Sequence, residues 1–227
     1  MNTVRRESVA PPSEEYRQAT ALLDAEHSQI QDFTRAACRA AGTERERAVT
    51  LYYAVRDAIH YDPYTCSLDV ETLRASRILE RRRGYCVGKA VLLATCGRAA
   101  GLATRLGFAD VRNHLATPRL LALMGTDVFH YHGFTEFWLD GRWVKATPAF
   151  NMSLCERFGV KPLDWDGTRD AVFHEFSQAG ARHMEYLTEH APAADVPVER
   201  LFAAYRHHYP LLMQGTAAAA SSDPGWR

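Results

Sequence analysis

Residues 83–108, RGYCVGKAVLLATCGRAAGLATRLGF, predict a buried helix followed by a strand. After Cys86 the apolar positions recur at helical spacing, and Gly101 ends the pattern as a helix stop. Residues 103–108 are then typical of a strand. Cys86 is therefore expected at the start of the helix, where unpaired backbone N–H groups and the positive end of the helix dipole stabilise a thiolate. This position predicts a lowered pKa and a nucleophilic thiol.

Residues 129–150 carry the strongest hairpin signal in the chain. Asp140-Gly141 stands between two alternating runs of aromatic and β-branched residues, as a two-residue type I′ turn requires. If Leu139 faces Arg142 across the turn, the register of the whole hairpin is fixed, because a slip of one residue would turn every side chain to the other face.

This register predicts which side chains share a face. His132 faces Ala149 and Phe134 faces Thr147, on the same side as Glu136. The opposite face is mostly apolar and is therefore expected to be core. Its members are Phe129, Tyr131, Phe137, Leu139, Val144, Ala146 and Phe150.

The region before Cys86 is expected to be helical. Thr43 and Glu46 form a capping-box signature at the start of a helix over 44–60. The apolar spacing over 13–41 predicts two consecutive helices or one bent helix, and 71–80 predicts a short helix.

The length of 227 residues and the 47% hydrophobic composition predict one domain with one core. We place this domain at 13–213, between a flexible amino terminus at 1–12 and a flexible tail at 214–227. Residues 111–128 carry leucines around a proline and predict a covering loop, or lid, with a short helix. Residues 200–213 are expected to form a further helix.

The composition limits the classes of partner and the cellular location that we expect. Lys plus Arg and Asp plus Glu are 27 each, so electrostatic capture of nucleic acid has little support. Because the chain has neither a secretory signal nor an apolar stretch of about 20 residues, we expect a cytoplasmic protein without membrane contact. Its five cysteines form no CxxC pair, which suits reduced thiols. Since nucleotide, flavin and calcium motifs are absent from the sequence, no cofactor is expected. The oligomeric state stays open.

The order of the motifs resembles the bacterial transglutaminase-like superfamily. The resemblance covers about 43–151 and lies in the combination of motifs rather than in any one of them. The matching positions are Gly84 and Cys86, then Arg98-Ala99 with Gly101-Leu102 and Arg105, then His132 with Glu136, then Trp143 with Thr147-Pro148. It implies an α+β fold with a papain-like transglutaminase core, in which helices pack on an antiparallel sheet.

The resemblance also implies an activity. Cys86 would be the nucleophile and His132 the base in an attack on an amide carbonyl that gives a thioester. An amine or water would then accept the acyl group. The substrate would be a peptide, a protein or a small amide, and the outcome would be cross-linking, hydrolysis or acylation of a small amine.

One position departs from the family pattern. Thr147 stands where the family has the aspartate that orients the histidine. A threonine hydroxyl accepts a hydrogen bond from an imidazole but supplies no charge. Asn151 lies on the same hairpin face if the pairing passes Pro148, and it would give a Cys-His-Asn arrangement. Thr147 and Asn151 are therefore both candidates for orienting His132.

Two alternatives to a catalytic function follow from the same residues. The missing acidic residue at Thr147 motivates a catalytically weak or silent module that binds a protein or peptide. The spacing of His130 and His132 on one strand, with Cys86, motivates a zinc site. A tetrahedral zinc site usually needs four ligands, or three and a water, so we expect no metal.

Overall fold

The structure, a computed structural model that describes residues 11–114, 116–172 and 184–219, has helices packed on an antiparallel sheet. The predicted α+β fold is confirmed. Its helices are α1 (Ser28–Ala37), α2 (Glu44–Ala58), α3 (Ala75–Arg81), α4 (Cys86–Ala99), α5 (Pro118–Met124), α6 (Met152–Phe158), α7 (Val198–His208) and α8 (Pro210–Ala219). Its strands are β1 (His60–Tyr61), β2 (Arg83–Gly84), β3 (Thr104–Asn113), β4 (Val128–Leu139), β5 (Arg142–Ala146) and β6 (Met184–Ala193).

The strands form two sheets. The larger has the order β5-β4-β3-β6 and is antiparallel, and the smaller is the parallel pair β1-β2. The helix α4 packs on β3 and β4 of the larger sheet, and α1, α2 and α3 surround its other sides. Every residue of α4 from Cys86 to Arg98 is buried, as expected for a helix that is apolar all round.

The sequence predicts some of the helices before Cys86 more accurately than others. The capping box of Thr43 and Glu46 is formed, and α2 follows it close to the predicted bounds. The predicted helix over 71–80 is a short 3-10 turn followed by α3. Of the helical pattern over 13–41, only α1 and a 3-10 turn at Glu14–Tyr16 are regular.

The hairpin has the predicted turn and register. Asp140 and Gly141 both have positive φ, 50° and 80°, as a type I′ turn requires. Leu139 pairs with Arg142, and the ladder continues to Thr135 and Ala146.

The predicted pairing beyond this point is wrong. The ladder stops at Ala146, so neither Phe134 with Thr147 nor His132 with Ala149 is a pair. Thr147 instead donates its backbone N–H to the Ala171 carbonyl at 2.9 Å. Pro148 then has no N–H with which to resume the ladder.

Two boundaries lie further along the chain than predicted. Strand β3 continues to Asn113, so the expected lid at 111–128 begins with strand residues before the short helix α5. The helix predicted over 200–213 is two helices, α7 and α8, because the ring of Pro210 prevents a continuous helix. Since α8 continues to Ala219, the expected tail begins as helix.

Residues 1–10 and 220–227, which hold most of the predicted flexible ends, lie outside the described residues. Within the described ranges, we find no helix long and apolar enough to cross a membrane.

Candidate active site

The short parallel sheet determines where α4 begins. Tyr61 pairs with Gly84, and the backbone N–H of Asp62 donates to the Gly84 carbonyl at 3.1 Å. Two residues after Gly84, Cys86 opens α4. The ladder therefore holds the thiol beside Tyr61, whose hydroxyl acts to lower the pKa of Cys86.

A glycine lets the start of α4 touch β4. The backbone N–H of Gly133 lies close enough to the Cys86 sulfur to act to lower the pKa of the thiol. A Cβ on Gly133 would lie 2.8 Å from the Cα of Val87, a contact that real side chains do not make. Because the β5 ladder has already ended at this point, the Gly133 N–H is available to the thiol. The backbone of His132, the preceding residue, is thereby brought next to Cys86.

His132 is buried next to the strand residue that contacts α4. It pairs with Ala109 of β3, while Gly133 contacts α4 and Thr135 donates its hydroxyl to the Ala90 carbonyl in α4 at 2.8 Å. The backbone of His132 therefore adjoins the start of α4, where Cys86 lies.

The two candidates for orienting His132 make other contacts. The Asn151 amide accepts from the Tyr61 N–H at 3.0 Å and donates to the Ser153 hydroxyl at 2.8 Å. The Thr147 hydroxyl is buried and has no hydrogen-bond partner within the described part of the chain. The Asn151 amide thus anchors β1, and an orienting role of Thr147 or Asn151 toward His132 stays a prediction.

Cys86 opens into an apolar pocket beneath α5, α7 and α8. The thiol residue is 6% exposed, and the pocket has a cavity volume of about 30 Å³, space for about one or two water molecules. Twelve residues line it: Tyr61, Pro63, Cys66, Tyr85, Cys86, Leu120, Met124, Phe129, His130, Tyr205, Tyr209 and Leu212. Leu120 and Met124 come from the expected lid. An amide substrate requires this cover to move.

The pocket sets the electrostatics of the thiol. Burial raises the pKa of Cys86 to about 11, although N–H groups of Gly133, Val87 and Cys86 itself, and the Tyr61 hydroxyl, act to lower it. The predicted lowering of the pKa is therefore wrong for the closed pocket, because apolar walls outweigh the helix start. Burial also raises the pKa of Tyr61 well above its usual value, which keeps its hydroxyl a donor.

A second histidine lies at the pocket, in a place that the sequence does not predict. His130 lines it, and its Nδ1 lies 3.0 Å from Oδ2 of Asp110. Strict alternation predicts that His130 and His132 share a face, but Tyr131 between them has φ 56°, which breaks the alternation within β4. The pairing of β3 and β4 is irregular at the same place. Because the local sequence does not mark a bulge here, only the structure reveals the turn of His130 toward Cys86.

The two histidines therefore do not form the zinc site considered from the sequence. Among the described residues, no group of three or more His, Cys, Asp or Glu side chains is placed to hold a metal ion.

Comparisons with known proteins give a family and distant structural relatives. Residues 31–148, just over half of the chain, match the model of the transglutaminase-like superfamily. A candidate cysteine protease from Cytophaga hutchinsonii is 11% identical, with a TM-score of 0.46 over 78% of this chain and 52% of that one. A candidate protease from Parabacteroides distasonis is 16% identical, with a TM-score of 0.37 over 58% and 26%. The chain thus spans about half and about a quarter of these two structures. No curated protein matches it.

Proposed function

Because this chain belongs to the transglutaminase-like superfamily, we propose that it is an enzyme that cleaves an amide through a thioester on Cys86. One observation carries the proposal. Cys86 opens a buried helix, and the N–H of Gly133, the residue that follows His132, is close enough to act on the pKa of its thiol. The nucleophile and the base implied by the family motifs therefore come from neighbouring backbone.

The first half of the reaction forms the thioester. With a raised pKa, the thiol is protonated at rest near neutral pH. As its sulfur bonds to the amide carbonyl carbon, His132 takes the thiol proton. We assign the N–H of Cys86 and the Tyr61 hydroxyl as donors to the developing oxyanion, because both act on the thiol from close by. The C–N bond then breaks, and the leaving amine departs with the proton from His132.

The second half releases the acyl group. An amine or water attacks the thioester carbon, the C–S bond breaks, and the sulfur regains a proton. An amine gives transfer and water gives hydrolysis, so the acceptor decides the outcome. Peptides, proteins and small amides are the substrate classes that this chemistry serves.

A second candidate function has its own support. The closed pocket, the raised pKa of Cys86 and the uncharged Thr147 all favour a module that binds a protein or peptide without turnover. Covalent chemistry at Cys86 separates the two functions.

The test offers the protein two kinds of amide. One reaction contains a glutamine peptide with a fluorescent primary amine, and the other a set of internally quenched peptides. We expect product in at least one, lost in Cys86→Ala and His132→Ala. Cys155→Ala is the matched control, because Cys155 is also buried and burial raises its pKa to about 11. Equal product from wild type and Cys86→Ala would overturn the proposal.

A further inference from the structure

We propose that His130, held by Asp110, is a second proton-transfer residue of the Cys86 pocket and serves the acceptor half of the reaction. The inference rests on the proposed function and deepens it. His132 is then needed to form the thioester, and His130 to discharge it.

Asp110 fixes the proton of His130 on one nitrogen. Its carboxylate lies 3.0 Å from Nδ1 of His130 and 2.8 Å from Nε2 of His190, and it accepts the N–H of Tyr131 at 3.0 Å. Burial alone would raise the pKa of Asp110, but these hydrogen bonds bring it below its ordinary value. An ionised carboxylate only accepts, so Nδ1 of His130 must donate. Nε2 is left as the nitrogen that takes up a proton.

The ring of His130 is held in place from the other side by α7. It stacks on His208 with ring centroids 3.5 Å apart and planes 16° from parallel. The backbone N–H of His130 donates to the Tyr209 hydroxyl, which donates in turn to the Val128 carbonyl at 3.1 Å. Such fixed placement is what a proton-transfer group requires.

The two histidines stand differently toward the Cys86 pocket. His132 is buried and precedes Gly133, whose N–H acts to lower the pKa of the thiol, but it is not among the described residues that line the pocket. His130 lines the pocket under the cover formed by Leu120 and Leu212. An acceptor that enters when this cover opens therefore meets His130. The amine that leaves in the first half takes its proton from His132.

The acceptor nitrogen or oxygen bonds to the thioester carbon as its proton moves to Nε2 of His130. The C–S bond breaks, and the sulfur leaves with the bonding electron pair. The proton then passes from His130 to the Cys86 sulfur, which restores the resting thiol. Asp110 takes no proton and acts as a positioning residue.

The two halves can be timed separately with p-nitrophenyl acetate. Release of p-nitrophenolate reports acylation, and loss of the acetyl mass from the intact protein reports deacylation. In His130→Gln we expect acylation near the wild-type rate and deacylation by water or an alkylamine slower by about 10²–10⁴-fold. Hydroxylamine attacks thioesters without a base and should restore deacylation. Asp110→Asn should shift the same step in the same direction, and His207→Gln, an exposed neighbour, should change neither half.

Two results would overturn the inference. If His130→Gln stops acylation as completely as His132→Ala, His130 belongs to the first half. If deacylation is unchanged in both His130→Gln and Asp110→Asn, the cluster is structural only. Near-ultraviolet circular dichroism of each variant excludes misfolding as the cause of a loss. A wild-type protein that is never acylated at Cys86 refutes the proposed function, and the inference with it.

Discussion

At the scale of single residues, Gly133 decides whether α4 and β4 can touch. Its missing side chain leaves room for the backbone of Val87, which a Cβ would approach to 2.8 Å. We expect Gly133→Ala to lower the free energy of unfolding by about 1–3 kcal/mol, because one of the two elements must shift. Urea denaturation measures this change.

Gly42→Ala is the control for this substitution. Gly42 is exposed, and a Cβ there would meet only the Glu46 carboxylate, at 3.5 Å. The urea midpoint of the Gly42→Ala variant should stay at the wild-type value or rise. Equal losses in both variants would contradict a steric role for Gly133.

The raised pKa of Cys86 predicts the pH dependence of its reactivity. The thiol should stay protonated through neutral pH, so its alkylation by iodoacetamide should increase with pH toward a midpoint near 11. In the unfolded chain the midpoint should fall to about 8.5. Mass spectrometry read at each cysteine gives both curves.

Tyr61→Phe tests the cause of this shift. Removal of the hydroxyl that acts to lower the pKa of the thiol should move the alkylation midpoint of Cys86 further upward. Tyr16→Phe, which changes a ring packed on Trp143, is the control and should leave it in place. A folded-state midpoint below about 8.5 would contradict the raised pKa of Cys86.

At the scale of elements, α8 offers a matched pair for testing the cover of the pocket. Leu212 lines the pocket and is 3% exposed, whereas its neighbour Leu211 is 55% exposed. We expect Leu212→Ala to cost about 2–5 kcal/mol of unfolding free energy and to speed alkylation of Cys86, because it opens the cover. Leu211→Ala should do neither. Loss of stability without faster alkylation would show that α8 does not limit access.

Sequence patterns locate elements where a local signal is complete. The Asp140-Gly141 turn and the capping box of Thr43 and Glu46 each specify a geometry within a few residues, and both are formed. The bulge at Tyr131 and the end of the ladder at Ala146 depend on distant partners such as Ala171. For this reason the sequence predicts Cys86 and His132 as candidate site residues, whereas it does not predict that His130 turns toward the pocket.

At the scale of the whole molecule, Arg98 joins three distant parts of the chain. Its buried guanidinium donates to the carbonyls of Gln18 at 2.6 Å, Thr104 at 3.1 Å and Ala194. Arg98→Met should lower the free energy of unfolding by about 3 kcal/mol, because three carbonyls lose a charged donor. Thermal and urea unfolding check this value.

Arg35→Met is the comparison for this loss. The Arg35 side chain is 74% exposed and forms an ion pair with Asp32. The stability of the Arg35→Met variant should therefore not differ measurably from that of the wild type. A similar loss in both variants would show that positive charge in general, rather than the carbonyl network of Arg98, stabilises the fold.

The candidate site is assembled from elements that lie far apart in the chain. Cys86 comes from the start of α4, His132 from β4, and the pocket walls include α5, α7 and α8. The family motifs predict the first two because they lie in helix and strand patterns. The apolar closure that raises the pKa of the thiol depends on C-terminal helices that carry no motif, so the sequence predicts no role for them.

The central claim is that Cys86 forms a thioester with the help of His132. The most direct measurement is the burst of p-nitrophenolate from p-nitrophenyl acetate, with peptide mapping of the acetyl group. We expect a burst of about one equivalent with the acetyl group on Cys86, unchanged in Cys155→Ala and lost in Cys86→Ala and His132→Ala. No burst, or acetylation spread equally over the cysteines, would contradict the claim and favour a binding module.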